Sequence, residues 1–337
     1  MSRRDRHRPP SPDGVAASWF QLPPGDWATV LEALDACFPQ VGRAVWSQRL
    51  EAGLVADAQG QALAVDARYR VGLELSYYRD RPDEPVLAPA EHILHHDERI
   101  LVADKPHGLP VTPAGGAVRE TLLARLVRRT GKAELVPLHR IDRDTAGLVL
   151  FSTDPGTRDA YQSLFRERRI AKTYQALAPP LPGLDWPQLR CSRIERGEPF
   201  FRMHEVAGEA NSRTRIEVLG RGASVWRYRL QPVTGRKHQL RVHMAALGAP
   251  ILGDRLYPVL QPGHEQPGGP VLQLLAASLD FIDPLDGSSR TFASRRVLDH
   301  PHAPAAAAAG EPGHRTSRSD DQAPRRAPAR PGSRGGC

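Results

Sequence analysis

Apolar positions along this chain switch between a helical and an alternating period, and the switch points outline its elements. Val30, Leu31, Leu34 and Phe38 repeat at helical spacing, and Val45, Leu50 and Leu54 do so more loosely. Strand-like pieces follow at residues 63–65 and 72–78, and again at 100–103. A helix is predicted over residues 120–129, with Leu122, Leu123, Leu126 and Val127 on its buried side and Gly131 near its end. The run Leu148-Val149-Leu150-Phe151 reads as a buried strand. Asp154 and Pro155 suit the N-cap and first position of a helix running to about Arg168. Further strands are expected at residues 173–178, 214–219, 225–232 and 279–282. Many strands with few helices predict an α+β fold around a mixed, mostly antiparallel sheet with flanking helices.

Composition divides this pattern into regions. Residues 1–17, rich in Arg, Pro and Ser without apolar periodicity, are expected to be disordered. Residues 18–80 form a small N-terminal α/β module, and residues 81–90, with Pro82, Pro85 and Pro89, an extended linker. The main domain spans residues 91–299, and residues 300–337 read as a disordered tail of Arg, Pro and Ala.

The formal charge of +8 invites a polyanionic partner, but +3 of it lies in residues 1–10 and +3 in residues 301–337, leaving +2 for the body. Charge alone is thus a weak argument for nucleic acid. Cys37, Cys191 and Cys337 are too few and too scattered for a disulfide framework or a zinc site, which fits a cytoplasmic protein. No apolar run is long enough to span a bilayer, and the charged N-terminus lacks the apolar core of a secretory signal. His92, His95 and His96 lie close together without an acid or cysteine at ligand spacing, so a surface strand is expected there and no metal.

The most informative segment is residues 137–151. It sets Asp142 beside His139 and Arg140, ahead of a Thr145-Ala146-Gly147 turn and the apolar strand. A carboxylate on a strand-and-turn scaffold can serve as nucleophile or general base, though a plain turn acid is the commoner meaning of such a residue. Three other segments accompany it: Asp104-Lys105-Pro106-His107-Gly108-Leu109-Pro110-Val111, Lys172-Thr173-Tyr174, and Gly235-Arg236-Lys237-His238-Gln239-Leu240-Arg241-Val242-His243. In order and spacing the four resemble the motifs of the RluA-type pseudouridine synthases, with Ile141 in place of Leu and Ala146 in place of Ser in the second. The continuation through Pro250, Gly253 and Asp254 looks closest to the branch acting on tRNA and 23S rRNA.

That resemblance implies a pseudouridine synthase fold with a central cleft, a structured RNA as partner, no cofactor, and a monomer. It implies Asp142 as the catalytic carboxylate, Arg241 as its ion-pair partner and Tyr174 as the tyrosine lying against the uracil. Arg140 matches a residue filling the space of a flipped nucleotide, and His139, Lys172, Arg236 and His238 are assigned to RNA binding. Residues 18–80 resemble a degenerate S4 RNA-binding module. Asp144 reads as a turn acid, since the family pattern leaves its position open. Attack at C1′, attack at C6 and a glycal route all remain open for Asp142. Two rival readings are a non-catalytic RNA-binding or ribosome-assembly protein on the same fold, and an N-glycoside hydrolase pairing Asp142 with Asp144.

Overall fold

The computed structural model of the chain describes residues 9, 15, 17–78, 84, 89–113, 117–263 and 269–304. The expected disordered ends and the 81–90 linker lie almost wholly outside the described residues. The chain divides into two units, Met1–Arg143 with Val149–Asp159, and Asp144–Leu148 with Ala160–Cys337.

The first unit begins with β1 (Ser18–Gln21), α1 (Val30–Cys37), α2 (Arg43–Glu51), β2 (Val55–Asp57) and β3 (Glu74–Tyr77). β3 pairs antiparallel with both β1 and β2. α1 starts where the sequence supplies a capping pair. Thr29 Oγ1 accepts from Glu32 N–H, and Glu32 reaches back to accept from Ala28 N–H. The apolar stripe of α1 (Val30, Leu31, Leu34) packs on Trp46, Leu50, Val55, Leu75 and Tyr77. Residues 63–65 do not form the expected strand. A turn closed by Ala67 N–H to the Ala64 carbonyl cuts off the extended run after Leu63, whose N–H donates to the Val55 carbonyl at 2.9 Å, and the side chains of Leu63 and Val65 pack against that core.

The same unit continues with β4 (His92–His96), β5 (Ile100–Lys105), α3 (Leu122–Thr130) and β6 (Val136–Pro137). β4 and β5 form an antiparallel hairpin whose turn is held by Asp97, which accepts from Arg99 and Ile100 N–H. β6 pairs with residues 151–152 of β7 (Ala146–Ser152). Thr121 caps α3, and Gly131 closes it in the left-handed region at φ +68°. Its buried face is Leu122, Ala124 and Leu126; Leu123 and Val127, expected inside, are half-buried.

The second unit holds the first half of β7, most of α4 (Arg158–Arg166), β8 (Ala171–Ala178), β9 (Gln188–Arg196), β10 (Met203–Val206), β11 (Ser212–Arg221), β12 (Trp226–Pro232), α5 (Gln239–Ala246), β13 (Leu274–Ile282) and β14 (Ser289–Ala293). α4 starts four residues after Asp154, because that carboxylate accepts from Gly156 N–H and folds residues 154–157 into a turn. The strands run in the order β10-β9-β11-β12-β8-β13-β7, with β14 on β13. Among the described residues of this unit the strands pair antiparallel except β13 with β7, which gives the mixed, mostly antiparallel sheet expected. Leu240 and Met244 of α5 pack on Ala176, Ile216, Tyr228 and Leu230 of the sheet.

Two residues of the 137–151 segment anchor β7 in this sheet. Ala146 is fully buried among Leu177, Val225, Leu275 and Leu298. A serine hydroxyl there would enter an apolar cluster, which accounts physically for alanine. Gly147 has φ +107°, and a Cβ on it would lie 2.2 Å from the Ala276 carbonyl oxygen of β13. Backbone thus meets backbone, and only glycine fits. Gly147→Ala is expected to abolish soluble, cooperatively melting protein. Gly131→Ala, with open space around it, should cost only the left-handed penalty of about 1–2 kcal/mol. Thermal melting of the two variants side by side checks this.

Candidate active site

In the first unit, the chain leading to Asp142 alternates between anchored and outward residues. Leu138 and Ile141 are buried, Arg140 and Arg143 are exposed, and Asp142 is half-buried between Ile141 and Arg143. Three hydrogen bonds fix this segment. Leu138 N–H donates to the Leu150 carbonyl at 2.9 Å, and Leu150 N–H donates to His139 Nε2 at 3.1 Å. Because a backbone amide can only donate, Nε2 is the unprotonated nitrogen of that ring. The third bond comes from Lys105, a fully buried residue at the end of β5. Its ammonium donates to the Pro106 carbonyl at 2.9 Å and to the Arg143 carbonyl at 2.8 Å. A buried cation therefore clamps the backbone one residue beyond Asp142. Lys105 received no role from the sequence, although it stands in the first motif.

In the second unit, β8 carries Lys172 and Tyr174 on one face, two residues apart. Tyr174 is in register with Leu230 on β12 and Ala276 on β13, and its half-buried ring packs against the core of that face. The register of β13 against β8 shifts between Ala276 and Ser278, a bulge directly beside Tyr174. Burial holds the Lys172 ammonium below the usual lysine range.

α5 is entered through His238, a non-glycine residue at φ +54° with no side-chain cap. Gln239 takes over the task of holding the turn. Its Oε1 accepts from Thr234 Oγ1 and Arg236 N–H, and its Nε2 donates to the Arg213 carbonyl and Thr214 Oγ1. All four hydrogen-bonding positions of a buried amide are thereby used. Arg241, one turn into the helix and 3% exposed, binds Asp254 bidentately, Nε to Oδ2 at 2.8 Å and Nη2 to Oδ1 at 2.6 Å. Asp254 Oδ1 also accepts from Leu256 and Tyr257 N–H, which turns the following loop back over the helix. The Tyr257 ring then lies against the Arg241 guanidinium at 5.3 Å. Tyr257 Oη meets His238 Nδ1 at 2.8 Å and accepts from Met203 N–H at 2.7 Å. Burial pushes the Tyr257 phenol up to about 12, against a lowering by the Met203 hydrogen bond.

His243, fully buried, closes a second polar network. Nδ1 meets Thr214 Oγ1 at 2.9 Å, and Nε2 meets Ser192 and Ser212 hydroxyls at 3.0 Å each. Burial pushes its pKa down to about 4, outweighing the Glu205 carboxylate 4.0 Å away.

A family model described as RNA pseudouridylate synthase matches residues 99–246. An RNA pseudouridine synthase of Synechocystis is 32% identical over 229 residues, 64% of this chain and 74% of that protein. A dual-specificity RNA pseudouridine synthase of Pasteurella multocida is 35% identical over 216 residues, 60% of this chain and 91% of its own length. The solved structure of human RNA pseudouridylate synthase domain containing 1 aligns at a TM-score of 0.52 and 25% identity, covering 63% of this chain and 86% of that one. This chain belongs to the RluA-type pseudouridine synthase family.

As a member of that family it is an isomerase that makes pseudouridine in RNA. The resemblance drawn from four motifs therefore holds. Of the residues assigned from it, His139, Arg140 and Asp142 belong to the first unit, and Lys172, Tyr174, Arg236, His238 and Arg241 to the second. Within the second unit Tyr257 brings His238 and Arg241 together, and the Lys172 ammonium lies close to Gly235. Asp254, Gln239, His243 and Tyr257 were missed as side chains with work of their own. The signal was present for all four, since each lies in or just after the last motif.

Two outcomes follow for this enzyme. Asp254→Ala strips the buried Arg241 of its bidentate partner and should destabilise the protein by about 3–5 kcal/mol in denaturant melts. His243 gives an acid-side effect. The unfolded imidazole takes up a proton near its ordinary value of 6.5, whereas the folded one resists until about 4. The unfolded state thus binds more protons in that window, and stability present above pH 6.5 is lost as pH falls toward 4. In His243→Asn, the pH dependence of the melting temperature between those limits should flatten.

Proposed function

We propose that this enzyme modifies specific uridines in structured RNA, tRNA and/or 23S rRNA, with Asp142 as its catalytic carboxylate. The reaction breaks the N1–C1′ bond, turns the uracil and forms the C5–C1′ bond; C5 loses a proton and N1 gains one, so nothing is oxidised or consumed. Its requirements are a carboxylate at the ribose and base, and a dry site that retains the detached uracil. The observation that carries the assignment is the presentation of Asp142: a half-buried carboxylate on a segment pinned by Leu138, His139 and the Lys105 clamp. The match to a relative named a dual-specificity RNA pseudouridine synthase supports a structured RNA as the substrate.

In this reading Arg241 is the basic residue that the family resemblance pairs with the catalytic carboxylate. Tyr174 lies against the uracil and assists removal of the C5 proton. Arg140, exposed beside Asp142, fills the gap left by the flipped nucleotide. Residues 18–80 act as an S4-like grip on RNA ahead of a catalytic domain over residues 91–299. The enzyme works as a monomer in the cytoplasm; among the described residues no helix is long and apolar enough to cross a membrane.

Pseudouridine mapping of RNA from cells with and without the gene should show sites that vanish with it, and complementation by Asp142→Asn should restore none of them. The variant should melt like the wild type, because Asp142 is not a core residue. Unchanged pseudouridine maps, or full complementation by Asp142→Asn, would refute the assignment; release of free uracil would point to hydrolysis instead.

A further inference from the structure

Tyr257 is buried, and among the described residues its hydroxyl meets two partners. The Met203 N–H, at 2.7 Å, can only donate, so Oη is its acceptor. The other partner, His238 Nδ1 at 2.8 Å, either donates to Oη or accepts from it. Were it to donate, Oη would accept twice, and its own hydrogen would be left buried without an acceptor, which is costly. When it accepts, every group in the chain is used. Burial pushes the Tyr257 phenol up to about 12, so Oη keeps that hydrogen throughout the neutral range. The bonds thus run one way, from Met203 N–H to Oη and from Oη–H to Nδ1, and the ring hydrogen of His238 sits on Nε2. Both residues are held for this contact. His238 stands in the left-handed region at φ +54°, and its carbonyl accepts from Val242 N–H at 3.0 Å. Tyr257 N–H donates to Asp254 Oδ1 at 3.1 Å, and its ring lies 5.3 Å from the guanidinium carbon of both Arg241 and Arg202.

We propose that Tyr257 is a positioning residue, which sets His238 as the neutral Nε2–H tautomer and so makes it a hydrogen-bond donor to an oxygen of the RNA substrate. The proposal rests on the RNA-modifying role above and on the assignment of His238 to RNA binding. It adds the residue that decides where the imidazole hydrogen lies and which way its contact points. A neutral donor on a fixed ring supplies direction at little ordering cost. Tyr257 acts through His238 and touches no reacting atom.

Imidazole nitrogen NMR of the full chain, with the His238 signals identified by their loss in His238→Ala, reads the tautomer without RNA. In the wild type Nε2 should carry the hydrogen and Nδ1 should show the shift of an unprotonated nitrogen. In Tyr257→Phe, which keeps the ring beside Arg241, that preference should be lost. The kinetic probe is an RNA hairpin transcribed around a uridine whose modification vanishes with the gene. Tyr257→Phe should raise KM about three- to tenfold with kcat little changed, the scale of one hydrogen bond between neutral groups. His238→Gln, whose amide can still donate, should stay closer to the wild type than His238→Ala. Adding Tyr257→Phe to His238→Ala should raise KM no further, because the tyrosine acts through the imidazole. A wild-type hydrogen on Nδ1, or KM effects that multiply in the double variant, overturns the positioning role and leaves the assignment of Asp142 untouched. A wild-type enzyme that modifies no such hairpin overturns both.

Discussion

The bidentate pair between Arg241 and Asp254 is the constraint that organises the second unit around its chemistry. A guanidinium 3% exposed and a carboxylate equally buried must be hydrogen-bonded on all sides or the fold loses several kcal/mol. Asp254 meets that demand with one edge of Arg241 and two backbone amides of its own loop. Once the loop is turned, Tyr257 lies on the guanidinium, and its hydroxyl reaches both the start of α5 and the start of β10. One ion pair thereby couples a helix, a loop and a hairpin.

α5 needs such support because its sequence does not make it an ordinary amphipathic helix. Six of its eight residues are buried, among them Gln239, Arg241 and His243. A helix polar on its inner side is stable only if each polar group is satisfied. Gln239 and His243 are satisfied largely by β9, β11 and the loop before the helix. The arrangement sacrifices apolar burial and gains fixed positions for the charged side chains. Lys105 does the corresponding work in the first unit, where a buried ammonium pins the backbone beyond Asp142 through two carbonyls.

The legible parts of the chain were those whose cause is local. α1, α3, the strands β8, β11 and β12, and the glycine after α3 all follow from periodicity and capping within a few residues. β9 and β10, with Arg, Ser, His and Glu along them, carry no clean alternation and were not foreseen. Residues 63–65 looked like a strand because three short-range residues fit, but a turn from Ala64 to Ala67 stops the pairing after Leu63 N–H meets the Val55 carbonyl. α4 began late because Asp154 bonded to Gly156 in place of a helix amide. Both errors are cases of a side chain or turn outcompeting a regular element.

By itself the sequence determined the family and the α+β class, because these depend on residue types at fixed spacing along the chain. It could not determine that Ala146 sits in an apolar cluster, that Gly147 lies against the Ala276 backbone, or that Lys105 bonds the Arg143 carbonyl. Those contacts join residues 31 to 152 positions apart, and no periodicity records them. Nor could it tell which arginines of β9, β11 and β12 would be neutralised, since a charge has a partner only where the fold delivers one.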